Sequence, residues 1–138
     1  VCKQYARYYL GGKKLYQIIE KRELAPSIIL MEVEAPRVAK SAKPGQFVIV
    51  RIDEKGERLP LTVCNYDIEK GTVTIVFQAV GKSTNQMLKL NKGDYFVDFA
   101  GPLGQPSEFI HEDLEKLRKE RIMFVAGGVG AAPVYPQV

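Results

Sequence analysis

At 138 residues, with 46% apolar and 26% charged side chains, the chain is long enough for one ordinary domain, too short for two complete ones, and too apolar to be disordered. No apolar run approaches the roughly 18 residues of a membrane helix, and no apolar stretch precedes a small-residue cleavage site, so a soluble, cytoplasmic protein with no membrane partner is expected. The formal charge of +4 is concentrated in residues 1–22, which hold six Lys and Arg against one Glu. Residues 1–14 form a basic N-terminal extension carrying Lys3, Arg7, Lys13 and Lys14. It reads as a flexible or non-native appendage or, with Tyr5, Tyr8 and Tyr9, as a nucleic-acid-binding arm, although no RNA-binding pattern accompanies it. Cys2 and Cys64 lie far apart, neither belongs to a C-x-x-C pair, and His111 is the only histidine. A metal centre, a disulfide framework and a His-dependent triad are therefore not expected, and His111, beside Glu112 and Asp113, reads as a solvated surface residue.

Beyond Gly11-Gly12, Leu15 to Arg22 is compatible with a first strand. Ala25-Pro26 signals a turn, and Ser27 to Glu34 follows as a strand whose Ile29, Met31 and Val33 share one face by the period of two. Lys43-Pro44-Gly45 turns the chain into Phe47 to Ile52, a β-branched and aromatic strand. After the polar turn Glu54-Lys55-Gly56-Glu57, Arg58 to Val63 is predicted as a strand that is an edge or is interrupted, because Pro60 has no N–H for a ladder. Thr72 to Val80 gives the clearest alternation, with Val73, Ile75, Phe77 and Ala79 on one face. Ser83-Thr84-Asn85-Gln86 has capping-box spacing, and Met87, Leu88 and Leu90 supply the apolar side of a helix of about two turns. Asn91-Lys92-Gly93-Asp94 ends it before a strand at Tyr95 to Phe99. Six short strands, one short helix and no βα alternation predict an antiparallel six-stranded barrel or sandwich over residues 15–104.

The pattern then changes. Gly101-Pro102-Leu103-Gly104 is a break, and Glu112 to Glu120 is a charged helical stretch. Ile122-Met123-Phe124-Val125-Ala126 is an unbroken apolar run of the kind found in buried parallel strands. It leads into Gly127-Gly128-Val129-Gly130-Ala131-Ala132-Pro133, a glycine turn opening a helix. Residues 105–138 are thus expected to be a linker helix plus the first strand and turn of an incomplete α/β unit. Its apolar strand would lack a covering sheet, which predicts self-association through this segment.

Three segments have the chemistry of a ligand site. A strand, a glycine turn and a helix start let backbone N–H groups approach a pyrophosphate, and Gly128 and Gly130 fit, with Pro133 where a third glycine commonly falls. Gly81-Lys82-Ser83-Thr84 offers a second helix start beside two hydroxyls and an ammonium, although taken alone it reads more readily as a capped helix with a surface lysine. Arg58 and Thr62 put a guanidinium and a hydroxyl on one strand segment.

Taken in order, R-L-P-L-T, V-G-K-S-T, G-P-L-G and the apolar run into G-G-V-G-A-A-P resemble the ferredoxin-NADP reductase superfamily over residues 15–138. Within it the sequence is similar to the small subunits of NADH-dependent ferredoxin:NADP oxidoreductases, also called sulfide dehydrogenase subunit beta, and to the electron-transfer subunits of dihydroorotate dehydrogenases. The resemblance implies an FAD-binding β-barrel over 15–104 followed by the start of a Rossmann-like NAD(P)-binding domain. It implies a flavoprotein oxidoreductase that moves electrons between NAD(P)H and an iron–sulfur or ferredoxin-type partner, such as a larger flavin and iron–sulfur subunit. Arg58, Pro60, Leu61 and Thr62 correspond to the family segment in which the arginine meets the flavin pyrophosphate and the hydroxyl lies near flavin N5, which makes Thr62 the expected catalytic residue. The family places two residues between these groups, whereas Arg58 and Thr62 have three between them, so Thr62 carries more of the correspondence. Val63, Cys64 and Asn65 follow along the flavin. Gly81, Lys82, Ser83 and Thr84 match the pyrophosphate-holding helix start, and Gly127, Gly128, Gly130 and Pro133 match the opening of the NAD(P) site. Cys64 also reads simply as a small apolar strand residue. The [2Fe-2S] segment of the relatives has no counterpart here, so the cluster is expected in a full-length protein and not in these residues, and NAD(H) binding by these residues alone is expected to be negligible. A stand-alone NAD(P)H-flavin reductase and a non-enzymatic barrel with a nucleic-acid-binding tail remain the alternative readings.

Overall fold

A computed structural model describes residues 9–10 and 13–138. Cys2, Lys3, Tyr5, Arg7 and Tyr8 of the basic extension lie outside the described residues. Tyr9–Leu10 (β1) and Lys13–Lys14 (β2), expected within a flexible appendage, pair as a short antiparallel hairpin.

The main sheet has seven strands in the order β8-β3-β4-β7-β6-β5-β9, and every adjacent pair is antiparallel. These are β3 (Tyr16–Ala25), β4 (Ile28–Glu34), β5 (Phe47–Arg51), β6 (Leu59–Asp67), β7 (Thr72–Gln78), β8 (Tyr95–Phe96) and β9 (Asp98–Leu103). The period of two decides the faces. In β4 the side chains of Ile29, Met31 and Val33 are buried to 1% exposure or less, and β7 matches them with Val73, Ile75 and Phe77. Ile28, Leu30 and Glu32 of β4, with Thr72, Thr74 and Val76 of β7, consequently face outward. Val48, Val50, Val63, Phe96 and Phe99 complete the core, and the Phe96 and Phe99 rings lie 6.3 Å apart.

Seven strands form where six were expected because the run expected as one strand, Tyr95 to Phe99, is two. At Val97 the chain changes partner: β8 pairs with β3 and β9 with β5, while the Val97 N–H donates to the Arg51 carbonyl at 3.0 Å. One continuous stretch thus touches both ends of the sheet and nearly closes it into a barrel.

Two helices accompany the barrel strands. Pro36–Ser41 (α1), absent from the sequence reading, starts with Pro at its first position and buries Val38 and Ala39, but its N-cap is Ala35 with no capping side chain. Lys82–Leu88 (α2) is the expected short helix, moved by two residues at its start. Its N-cap is Gly81, and the Thr84 hydroxyl accepts from the Gly81 N–H at 2.9 Å, the part that the expected spacing, with Ser83 as the cap, gives to Gln86. Met87 anchors α2 in the core. The Lys21 ammonium donates to the carbonyls of Leu88 and Leu90, each at 2.7 Å, satisfying acceptors that a helix end leaves open and opposing its negative dipole end.

After β9 the chain makes a 3₁₀ turn at Glu108–His111, where His111 is exposed, and the charged stretch gives only one helical turn, Leu114–Leu117 (α3), capped by the Asp113 carboxylate. The strand expected at Ile122 to Ala126 does not form. No described strand lies beside this segment to supply ladder partners, and Met123 and Val125 are more than 80% exposed. Phe124 instead meets Phe109 edge to face at 5.8 Å. The glycine turn does form: a 3₁₀ turn at Gly128–Gly130 runs into Ala131–Val134 (α4), with Pro133 third in the helix rather than first. The Ser107 hydroxyl donates to the Gln137 side chain at 2.9 Å and ties this segment back to the end of β9.

Candidate functional site

The two halves of β6 have different neighbours. Leu59 to Thr62 pair with β5 through Val50↔Leu59 and Phe47↔Thr62, and the ladder to β7 begins only at Val63↔Ile75. Of the two expectations raised by Pro60, an edge or an interruption, the edge is observed: the ladder to β5 runs through Pro60, and the other side of the strand is open over residues 59–62. Arg58 and Pro60 are exposed there, while Leu61 and Thr62 are half-buried. Immediately beyond, the register slips between Val63 and Asn65, so Cys64 sits on a bulge, where a strand bends and re-aims its side chains.

The start of α2 adjoins the start of β6. The Ser83 hydroxyl, on a residue only 7% exposed, donates to the Glu57 carboxylate, which immediately precedes Arg58. The Thr84 hydroxyl is taken up in the cap, accepting from the N–H groups of Val80 and Gly81 and donating to the Gly81 carbonyl. The hydroxyls of 83 and 84 thus hold the local structure. What the helix start presents to a ligand is the N–H set of its first turn, which has no intrahelical acceptor, together with the exposed Lys82 ammonium. Gly81 is extended, and a Cβ placed on it would meet nothing nearer than the Thr84 hydroxyl at 3.9 Å, so its neighbourhood is open.

A cavity of about 750 Å³ lies over the outward face of β3, β4, β7 and the second half of β6. Its floor is apolar at Ile28, Leu30 and Val76. It is polar where the Thr72 hydroxyl donates to the Glu32 carboxylate at 2.6 Å. Cys64 and Asn65 line it from β6, and Gly128, Val129, Ala131 and Ala132 line it from the glycine turn and α4. Burial pushes the Cys64 thiol up from its ordinary pKa, which favours the protonated form, as for a strand residue of apolar character. Asp67, at the rim, is held below the usual carboxylate range, first by the Lys70 backbone N–H and then by the Lys70 ammonium 3.5 Å away.

The predicted residues therefore fall into two groups joined by one strand. Arg58, Pro60, Leu61 and Thr62 lie at the start of β6, just after Glu57, which accepts from Ser83 of the 81–84 helix start, while Cys64, Asn65 and Gly128 share the cavity. Val63 faces the core and is fully buried, so it contributes backbone alone. Gly127, Gly130 and Pro133 are not part of the cavity wall. Glu57 was missed: an acid in a polar turn carries no sequence signal that its partner lies 26 positions away. Among the described residues no cluster of three or more His, Cys, Asp and Glu could hold a metal, and no helix is long and apolar enough to cross a membrane.

The nearly closed antiparallel barrel is the barrel of the ferredoxin-NADP reductase type, and the chain is similar to proteins of the ferredoxin-NADP reductase superfamily. No protein-family profile matches it. It is 67% identical over 124 residues to a Clostridium beijerinckii protein named "Uncharacterized protein in adh 3'region", covering 90% of this chain and 42% of that one. It is 39% identical over 127 residues to a Thermotoga maritima homologue of the dihydroorotate dehydrogenase B (NAD(+)) electron transfer subunit, covering 92% of this chain and 43% of that one. In a solved structure of the NADH-dependent reduced ferredoxin-NADP oxidoreductase, a chain 42% identical superposes with a TM-score of 0.67, covering 72% of this chain and 36% of that one. The chain thus spans less than half the length of the relatives it matches.

Proposed function

We propose that these residues are the FAD-binding barrel, and the opening of the NAD(P)-binding unit, of an electron-transfer flavoprotein subunit working between NAD(P)H and an iron–sulfur or ferredoxin-type partner in the cytoplasm. The observation that carries the reading is the Glu57–Ser83 contact, which brings the turn before the open edge of β6 at 59–62 to the first turn of α2. A dinucleotide needs such a pair: an anion cradle for its pyrophosphate and an unpaired strand edge for a flat ring system.

The residues present fit FAD. The N–H groups of Lys82, Ser83 and Thr84 and the Lys82 ammonium would hold the pyrophosphate, with the Arg58 guanidinium free to approach from the start of β6. Thr62, half-buried on the open edge, would offer its hydroxyl to flavin N5, with Pro60, Leu61, Cys64 and Asn65 flanking the ring and Val63 contributing backbone. Bound FAD supplies the conversion between two-electron hydride chemistry and single-electron transfer, and the protein contributes placement and exclusion of water. The turn at Gly127, Gly128 and Gly130, with Pro133 in the helix behind it, would receive the nicotinamide dinucleotide at the cavity that Gly128 shares with Cys64 and Asn65. The homologue named as an electron transfer subunit supports a larger partner subunit carrying the next redox centre.

The test is titration of the purified protein with FAD, read by absorbance from 300 to 600 nm and by quenching of flavin fluorescence. Saturable binding is expected, with Thr62→Ala still binding FAD but shifting its reduction potential or slowing its reduction by NADH. A protein that leaves FAD fluorescence unchanged overturns the assignment.

A further inference from the structure

Building on that reading of the site, the structure points to one residue that sets its geometry without belonging to the cofactor's own cradle. The start of β6 and the start of α2 are separated by 26 positions of sequence, and no ladder joins Leu59–Thr62 to α2. What spans them is the hydrogen bond from the buried Ser83 hydroxyl to the Glu57 carboxylate. The turn that carries Glu57 is itself fixed. Asp53 accepts from the Lys55 N–H at 2.8 Å and from the Gly56 N–H at 3.1 Å, and the Arg51 guanidinium donates to the Glu54 carbonyl at 3.2 Å. Arg51 in turn faces the Asp98 carboxylate of β9 at 3.9 Å. A chain of polar contacts therefore runs from β9 through β5 and the 53–57 turn to the first turn of α2. At its other end α2 is held by the Lys21 ammonium, which donates to the carbonyls of Leu88 and Leu90.

We infer that Glu57 is a positioning residue for the cofactor: by accepting from Ser83 it fixes the spacing between the anion cradle of α2 and the open edge of β6, so that pyrophosphate and flavin ring are held at once. The carboxylate engages the Ser83 side chain and leaves the N–H groups of the first turn to the phosphates. The hydrogen bond matters here and the negative charge does not, since a second anion beside a pyrophosphate gives it no help. An amide in place of the carboxylate keeps the acceptor and removes the charge.

The experiment measures FAD and riboflavin affinity by flavin fluorescence for the wild-type protein and for Glu57→Ala, Glu57→Gln, Ser83→Ala and the Glu57→Ala/Ser83→Ala double variant. Loss of the clamp is expected to weaken FAD binding about tenfold in either alanine variant, with the double variant no weaker than each single one, as for two ends of one contact. Glu57→Gln is expected within about twofold of wild type, and riboflavin, which lacks the pyrophosphate, is expected to bind all variants alike. Amide exchange at residues 81–85 should quicken in Glu57→Ala and stay slow in Glu57→Gln. The inference is overturned if Glu57→Ala binds FAD as well as or better than wild type, if Glu57→Gln is as weak as Glu57→Ala, or if riboflavin binding falls in parallel. Failure of the wild-type protein itself to bind FAD is a different result and defeats the cofactor assignment.

Discussion

Phe47–Arg51 and residues 122–126 are nearly the same sequence in physical terms, F-V-I-V-R and I-M-F-V-A, yet one is a central strand and the other is not a strand at all. β5 lies between β6 and β9, which take up its N–H and C=O groups on both edges, and Val48 and Val50 are fully buried. Residues 122–126 have no described strand on either side, and their large apolar side chains are 37% to 84% exposed. Strand-forming composition is thus a capacity that a neighbour realises, since propensity in a sheet mostly measures packing against adjacent strands. The same contrast separates the barrel, whose core closes on itself, from the segment after Gly104, which is joined to it where the Ser107 N–H donates to the Pro44 carbonyl at 2.8 Å and where α4 lies against β6.

The contrast can be broken most directly in the two apolar sets. Phe99→Ala, at a ring 1% exposed and packed against Tyr16 and Phe96, is expected to destabilise the barrel by about 3–5 kcal/mol in urea unfolding. Val125→Ala, at a side chain 81% exposed, should change the stability by less than about 0.5 kcal/mol. Equal effects at the two positions would show that residues 122–126 are packed after all.

Glycines sharpen it further. A Cβ on Gly101 would lie 2.7 Å from Val48 Cγ1 and 3.3 Å from the Phe47 carbonyl, inside the β5–β9 ladder, so Gly101→Ala should cost about 1–3 kcal/mol. Gly127 has extended backbone, and a Cβ on it would meet nothing within 4 Å, so it should accept Ala with almost no change in melting temperature.

The smallest expected effect is electrostatic. Asp67 of the barrel has its pKa lowered on folding, so its stabilisation is present above the ordinary carboxylate pKa and is lost as pH falls through the depressed value. Lys116 after the barrel has its pKa raised, chiefly by its hydrogen bond to Glu112, so its stabilisation is present below the ordinary ammonium pKa and is lost as pH rises through the raised value. Both groups are exposed to solvent and screened, so Asp67→Asn should remove a slight acid-side slope in melting temperature and Lys116→Met a slight alkaline one. A slope of the opposite sign in either variant would refute the assignment.

Much of the barrel was legible because its signal is local. The alternation in Ile28–Glu34 and Thr72–Gln78 names the inward face directly, and Pro60 marks a stretch of β6 that pairs on one side only. Helix α1 was not legible, since Ala35 gives it no capping side chain. Nor was the split at Val97, where Y-F-V-D-F contains no Gly or Pro and the Val97 N–H finds its acceptor on Arg51 in another strand. The site divides in the same way. The motif residues were legible as types at spacings, but that the hydroxyls of Ser83 and Thr84 are occupied, and that Glu57 joins the two motifs, follows from contacts that exist only after folding.

The way the barrel closes also dictates an order of events in time. Its two outer edges are finished by one run, Tyr95 to Leu103, and the pairing of β3 with β8 brings together Gln17 and Tyr95, 78 positions apart. On a ribosome adding about 5–20 residues per second, the edge of β3 waits on the order of several seconds before its partner has been made. The interior strands, joined by short hairpins, are free to pair during that interval, while the long closure comes last and slowly, as distant contacts do. Residues 104–138 then emerge onto a barrel whose strands are already complete, so the glycine turn docks against a finished wall instead of helping to build it.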